Sequence, residues 1–300
     1  MSLATRVKGS SNPAVDPAAA DAACRALAGS HYENFDVVGS LVPRELRPHL
    51  ARLYAFCRHT DDLGDEGGGS VEDRLEQLAD WAVDLERCWG GQPEHPYLVA
   101  LTHSVRELGL PREPFFRLVE ANRMDQRKTS YDTFADLIYY CRHSADPVGE
   151  MVLHAVGAAT PETIALSDSI CTGLQLANFW QDVRVDRDKG RRYIPHEDMA
   201  RFGVTEADLA SSIASEAFRR LMEFEVERAR QMLLAGTPLV RLAPRSLRPA
   251  LGGFVRGGLA ILDRIAQQRH DVLARRPEVS RLTKVGIAVR TLASQAIGGW

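Results

Sequence analysis

The stretch "CTGLQLANFWQDVRVD", residues 171–186, sets polar side chains at regular intervals into a segment that is otherwise largely apolar. At about 100° per residue, Gln175, Asn178, Asp182 and Asp186 fall within a sector of about 80° on a helix. A helix that is apolar on nearly all other sides is buried, and a buried carboxylate without a partner costs several kcal/mol or takes up a proton. The segment therefore predicts a buried helix whose polar face needs a cationic partner.

A second stretch, "YAFCRHTDDLGD" at residues 54–65, repeats this geometry. Tyr54, Arg58, Asp61 and Asp65 fall within a sector of about 60° on one helix face. Aspartates four residues apart repel each other on a helix, so each pair is unfavourable unless a cation compensates. One such pair is common on a solvated helix face, whereas two pairs, each on a mostly apolar helix, favour a hard divalent cation. Mg²⁺ fits, because it binds through one or two carboxylates, waters and substrate phosphates.

The rest of the chain predicts an all-α protein. Apolar residues recur every three or four positions, as in the segment that follows the candidate N-cap Ser70, and strand-like alternation is nearly absent. Proline and glycine signals divide the 300 residues into about ten helices with short connections. We expect a flexible leader at residues 1–14 and a single domain at residues 15–300.

Composition excludes several functional classes. The net charge of −3 and the pI of about 6.3 argue against a nucleic-acid-binding protein. Five cysteines without a CxxC pair indicate reduced core residues and a cytoplasmic protein. The first residues lack the pattern of a secretory signal, and the chain has no uninterrupted apolar run of about eighteen residues that would span a membrane. Attachment to a membrane surface remains compatible with the sequence.

Several segments, in their order along the chain, resemble the motifs of the squalene/phytoene synthase family. They are "HYENF" at 31–35, "YAFCRHTDDLGD" at 54–65, "MDQRKTSYDTFADLIYYCRHSADPVG" at 124–149, "QLANFWQDVRVD" at 175–186 and "DKGRRYIPHED" at 188–198. The resemblance covers roughly residues 30–270 and implies the isoprenoid synthase fold, an all-α single domain with helices around a central cavity. Within the family, the chain most resembles the hydroxysqualene synthases of bacterial hopanoid pathways, which convert presqualene diphosphate to hydroxysqualene.

The resemblance also implies roles for individual residues. The expected Mg²⁺ ligands are Asp61, Asp65, Asp182, Asp186 and Asn178, and Gln175 would support the second motif. Tyr140 matches a catalytic tyrosine near the reacting carbons. The expected contacts with the diphosphate or the cavity mouth are His31, Tyr54, Arg58, Lys189, Arg191 and Tyr193, of which the last three belong to a basic flap. Taken singly, a tyrosine or histidine is more often a satisfied structural residue, so these roles depend on the motifs.

The chain also departs from the family pattern. Many relatives have an additional acid inside each aspartate motif, where this chain has Gly64 and Val185, and arginine is frequent where it has Gln181. "SADPVG" at 144–149 replaces the more usual "VAGxVG". We interpret the lower charge as fitting a site that handles one diphosphate, on presqualene diphosphate, better than two. The favoured reaction needs Mg²⁺ and a captured water, which Tyr140 or a neighbouring polar residue could orient, and no nicotinamide cofactor is expected.

Two alternatives remain at this stage. One is head-to-head condensation of two prenyl diphosphates to presqualene diphosphate, squalene or a phytoene-type product. The other is a non-catalytic assembly or scaffold protein with this fold, which retention of all four aspartates disfavours. The expected partners are a prenyl diphosphate substrate, a membrane surface contacted peripherally and neighbouring enzymes of the squalene/hopanoid pathway, with no nucleic acid.

Overall fold

Helices account for the regular structure of the described residues, and the prediction of an all-α fold is confirmed. The computed structural model describes residues 15–30, 43–65 and 68–280, and the isolated positions 283, 286 and 287. Within these ranges no β-strand forms. The helices are α1 (Pro17–Ser30), α2 (Arg47–Asp65), α3 (Val71–Gly90), α4 (Pro96–Leu108), α5 (Glu113–Asp125), α6 (Phe134–Ser144), α7 (Asp146–Ala155), α8 (Pro161–Asp188), α9 (His196–Phe202), α10 (Glu206–Ala210), α11 (Glu216–Ala235), α12 (Leu239–Leu242) and α13 (Arg248–Gln267).

The described ranges hold thirteen helices where the sequence predicts about ten. The excess comes from α9, α10 and α12, which have seven, five and four residues and are too short to produce a clear apolar period. Ser70 caps α3 as predicted, through a reciprocal capping box with Asp73. The predicted leader at residues 1–14 lies outside the described residues. None of the helices in the described ranges is both long and apolar enough to cross a membrane.

Helix α8 is the centre of the larger of two main hydrophobic clusters. Its 28 residues begin at the N-cap Thr160 and pack mainly on α11, α7 and α13. Leu176, Ala177 and Trp180 are fully buried within this cluster. The prediction that this helix is buried is therefore confirmed, and Asp182 and Asp186 lie half-buried on its more accessible side.

A second cluster fixes the rotation of α2. Phe56 is fully buried and packs against Trp81 and Phe115, with ring centroids 6.0 and 5.1 Å apart. The Trp81 indole N–H donates to the Thr60 hydroxyl at 2.9 Å, so Thr60 also faces this core. Phe56 and Thr60 lie on the side of α2 roughly opposite the sector that carries the first aspartate motif. Packing on one side of the helix therefore directs the aspartates to the other.

The segment after α8 is held against the loop between α5 and α6. Gly190 takes a φ of +77°, which a side chain would disfavour, and the chain reverses there. The Arg192 amide then donates to the Thr129 carbonyl at 2.7 Å, and the His196 amide donates to the Tyr131 carbonyl at 2.9 Å. These bonds fix the position of the predicted basic flap, residues 189–193.

A buried ionic cluster anchors the far end of this segment on α11. Arg228 pairs with Asp198 at 3.0 Å and with Glu225 at 3.3 Å, and both acids are buried. One guanidinium balances only one of the two carboxylates. Burial accordingly raises the pKa of Glu225 to about 8, although the charge of Arg228 lowers it, and the charge of Asp198 raises it further.

We predict that Glu225→Gln stabilises the protein at pH 8 and leaves its stability nearly unchanged at pH 5. An acid whose pKa is raised on folding contributes stability below its unfolded pKa, near 4.5, and this stability is lost as the pH rises through the folded value of about 8. The neutral amide of the variant cannot ionise and so avoids that loss. Urea unfolding at pH 8 should therefore give a free energy of unfolding at least about 1 kcal/mol higher than that of the wild type. Equal destabilisation at both pH values would instead mean that Glu225 is ionised and paired.

Candidate active site

The first wall of the site is the exposed side of α2. Asp61 opens onto solvent, and Asn122 of α5 donates to its carboxylate at 3.1 Å. Asp61 is nevertheless recessed among protein atoms, and this partial burial raises its pKa to about 6 while the Asn122 hydrogen bond lowers it. Tyr54 is half-buried on the same wall, and Arg58 pairs with Asp62 at 2.7 Å. The predicted register of α2 is thus observed.

Gly64 has a packing role that the sequence does not reveal. A Cβ atom at this position would lie 2.3 Å from the Asn122 side-chain oxygen. The side-chain amide of Gln126, which caps the end of α5, donates to the Gly64 carbonyl at 2.9 Å. The absence of a side chain therefore lets α2 and α5 approach closely enough for Asn122 to bind Asp61. The lower charge at this position has a structural cause, whatever the number of diphosphates bound.

The second wall is the carboxyl-terminal half of α8. Gln175 is half-buried and Asn178 is exposed, and Asp182 and Asp186 follow on the same side of the helix. Burial, followed by the charge of Asp182, raises the pKa of Asp186 to about 6. A carboxyl whose pKa is raised by burial and by a neighbouring carboxylate is the electrostatic signature expected of a site that attracts cations.

Arg191 connects the two walls. It follows α8 in the chain, and its guanidinium donates to Asp65 at the end of α2 at 2.8 Å. Lys189 is exposed beside it, and Tyr193 is buried with its ring stacked on Phe179 at a centroid distance of 3.7 Å. The flap thus brings a basic surface to the aspartates and an aromatic surface to the interior.

Tyr140 lies just inside the flap and is bonded to an acid that the sequence analysis did not single out. Its hydroxyl donates to Asp125 at 2.8 Å, and its ring lies 6.0 Å from that of Tyr193. Burial raises the pKa of Asp125 to about 6, against the opposing charge of Arg191. The second Asp125 oxygen, Oδ1, is buried without a hydrogen-bond partner among the described residues. The only sequence signal for Asp125 was its place within the 124–149 motif.

The segment after α13 also reaches the site, which the sequence analysis did not foresee. Arg276 forms a two-point ion pair with Asp182, in which the Nη2–Oδ2 distance is 3.0 Å. Gln181 donates to the Pro277 carbonyl at 2.6 Å and holds this segment on α8. Gln181 therefore has a structural role here, which weakens our interpretation of it as an adaptation to the substrate.

Contacts between elements bring Asp65 to Arg191 and Tyr140 to Tyr193, and the other described site residues lie on α2, α8 and the flap. His31 lies outside the described residues. The four aspartates supply only oxygen donors from two walls, the chemistry that Mg²⁺ prefers, and the buried unpartnered oxygen of Asp125 adds a further acceptor. No three histidine, cysteine or acidic side chains in the described ranges are gathered into a preformed metal site. The residues therefore fit Mg²⁺ in type, while arginines hold one aspartate of each motif.

An all-α fold in which a basic flap joins two aspartate-bearing helices is that of an isoprenoid synthase. The family model described as squalene/phytoene synthase matches residues 28–283, and the chain belongs to this family. Enzymes of this family process prenyl diphosphates head to head, so the chain is a prenyl diphosphate-processing synthase, as the sequence predicted.

The relatives are similar over most of their length. The phytoene synthase of Arthrospira platensis is 32% identical over 276 residues, which cover 87% of this chain and 89% of the relative. The 15-cis-phytoene synthase of Synechococcus elongatus is 29% identical over 274 residues, with the same two coverages.

Solved structures of squalene and dehydrosqualene synthases are also similar to this chain. The crystal structure of squalene synthase HpnC from Alicyclobacillus acidocaldarius superposes with a TM-score of 0.81 at 44% identity and covers 85% of this chain and 95% of that one. A dehydrosqualene synthase in complex with a ligand superposes with a TM-score of 0.82 at 24% identity, over 94% of this chain and all of that one, which shows the shared fold.

We predict that Gly64→Ala lowers catalytic activity about tenfold while leaving the free energy of unfolding within about 1 kcal/mol of the wild type. The new methyl group displaces the side-chain end of Asn122 and breaks its hydrogen bond to Asp61. The stability lost with that bond is similar to the stability gained because alanine is a better helix former than glycine. Product formation and urea unfolding measure the two effects.

Asn122→Ala provides the matched control. It should reduce activity by a similar factor, and the double variant should be no worse than either single variant, because both changes remove the same contact. Fully additive losses would show that Gly64 acts independently of Asn122.

Proposed function

We propose that this protein converts presqualene diphosphate to hydroxysqualene, with loss of diphosphate and capture of the carbocation by water. The breaking C–O bond leaves its electron pair on diphosphate. A water oxygen then forms a new C–O bond and releases one proton. The 44% identity to a squalene synthase supports a C30 substrate, and the proposal adds water as the terminal nucleophile.

The observation that carries the proposal is the hydrogen bond between Tyr140 and Asp125. The Tyr140 hydroxyl is held at 2.8 Å by one Asp125 oxygen, while the other oxygen is buried and unpartnered within the described part of the chain. A tyrosine fixed by a carboxylate, with a spare acceptor beside it, is suited to orient a single water and accept its proton. The surrounding Phe179 and Tyr193 rings would keep bulk water from the cation.

Departure of the diphosphate depends on positive charge at the two aspartate walls. Mg²⁺, when bound by Asp61, Asp65, Asp182, Asp186 and Asn178, would stabilise the charge that grows on the leaving group. Arg58, Lys189 and Arg191 place cationic side chains beside these ligands, and Tyr54 lies on the same face of α2. Arginine suits this role because its planar donors match phosphate oxygens.

The deciding experiment offers purified protein presqualene diphosphate or farnesyl diphosphate with Mg²⁺, in water enriched in ¹⁸O and without nicotinamide. We expect labelled hydroxysqualene from presqualene diphosphate and no C30 product from farnesyl diphosphate. Asp61→Ala and Asp182→Ala should abolish diphosphate release. A C30 diphosphate or a phytoene-type hydrocarbon from a prenyl diphosphate would establish the condensing alternative, which the phytoene synthase relatives favour.

We further predict that Asp125→Asn lowers the yield of hydroxysqualene at least tenfold relative to the diphosphate released. The amide oxygen can still accept from Tyr140, but the spare basic oxygen is lost, so the cation forms and is quenched less often by water. Mass spectrometry of the extract and a pyrophosphate assay give the two quantities. A parallel fall of both would assign Asp125 to ionisation instead of water capture.

Because substrate and product are lipids, we also propose peripheral contact with a membrane and transfer to or from neighbouring enzymes of squalene or hopanoid synthesis.

A non-catalytic scaffold with this fold remains the alternative of another functional class. Absence of turnover with every prenyl diphosphate tested, in a protein that is correctly folded, would favour it.

A further inference from the structure

In each aspartate motif, one carboxylate accepts hydrogen bonds from an arginine that lies outside the helix of that motif. Asp65 of α2 pairs with Arg191, 126 residues away, and Asp182 of α8 pairs with Arg276, 94 residues away. Neither arginine belongs to a helix of the two walls, because Arg191 lies in the flap and Arg276 in the segment after α13. Long-range ion pairs therefore occupy carboxylates at positions where cation ligands are expected, and the Asp65–Arg191 pair also ties α2 to the flap.

The exposure of these pairs indicates that they can exchange partners. The Arg191 and Arg276 side chains are 21% and 45% exposed, and those of Asp65 and Asp182 are 51% and 25% exposed. Ion pairs in contact with water are weak, since solvent screens both charges. A fully buried pair would be costly to separate, whereas these pairs can open for a more strongly charged ligand.

We propose that Arg191 and Arg276 are exchangeable counter-ions, which hold Asp65 and Asp182 until a divalent cation and a diphosphate bind together, and then move to the diphosphate. A divalent cation competes with each guanidinium for the same carboxylate oxygens. A diphosphate supplies the displaced arginines with a new anionic partner that they can bind at two points. This exchange rests on the proposed function only in assuming a diphosphate-bearing substrate.

The exchange couples the two binding events. A cation alone must displace both arginines without compensation, so its affinity for the free protein is reduced. Diphosphate removes this cost, so each ligand increases the affinity for the other by the same factor. The arginines would thereby keep the aspartates neutralised and correctly placed in the free enzyme, and make metal binding conditional on the substrate.

The test measures Mn²⁺ binding, as a spectroscopic substitute for Mg²⁺, by electron paramagnetic resonance with and without inorganic pyrophosphate. In the absence of pyrophosphate, Arg191→Gln and Arg276→Gln should each bind Mn²⁺ about three- to tenfold more tightly than the wild type. The factor by which pyrophosphate increases Mn²⁺ affinity should fall about tenfold in each variant. Tighter Mn²⁺ binding without pyrophosphate together with a smaller effect of pyrophosphate is specific to exchange. If the arginines only supported the structure of the site, both Mn²⁺ affinity and the effect of pyrophosphate should fall.

Arg275→Gln is the matched control, since it removes the same charge from the neighbouring, exposed position. It should change Mn²⁺ affinity less than twofold, and a larger effect would attribute the result to general electrostatics. Unchanged or weaker Mn²⁺ binding in the two test variants, with a wild-type circular dichroism spectrum, would overturn the proposal. Because pyrophosphate is common to all prenyl diphosphate substrates, these outcomes do not depend on whether hydroxysqualene is the product.

Discussion

The carboxylates on α8 are carried by a helix whose other sides are packed in the largest hydrophobic cluster, and their charge must be balanced locally. The helix cannot rotate to expose them further, because Leu176, Ala177 and Trp180 fix its other faces in the core. It cannot lose the charge cheaply either, since the pKa of Asp186 is raised only to about 6. The flap and the segment after α13 each supply an arginine to this region, Arg191 and Arg276, whose charges favour the ionised form of Asp186.

The aspartates of α2, on the first wall of the site, also need local partners, and one of these partners is a neutral amide. In α2, the buried pair of Phe56 and Thr60 sets the rotation that turns Asp61 and Asp65 away from the core, and Asp65 then meets Arg191 of the flap. Asn122 then provides a neutral donor to Asp61, which close approach at Gly64 makes possible. The α8 wall thus depends mainly on ion pairs, whereas the α2 wall depends partly on the Asn122 amide. Arg191 connects the two walls.

The sequence predicts those features that depend on local periodicity. The sectors of Asp61 and Asp65 on α2 and of Asp182 and Asp186 on α8 follow from helix geometry alone, and the Ser70 cap from local chemistry. Contacts between residues distant in the chain have no such signal. The bond between Asn122 and Asp61, the pair between Tyr140 and Asp125, and the reach of Arg276 require the tertiary fold, and α9, α10 and α12 are too short to show a period.

This difference explains why two departures from the family pattern were interpreted chemically when their causes are structural. Gly64 and Gln181 sit inside the aspartate motifs, so the sequence offers only their missing charge as an explanation. In the folded chain, the first allows two helices to touch and the second binds the backbone at Pro277. Evidence for one reaction over another must therefore come from groups able to reach the cation. Tyr140 and Asp125 are the polar pair that lies among the rings of Phe179 and Tyr193, so the choice between water capture and condensation depends on what this pair can bind.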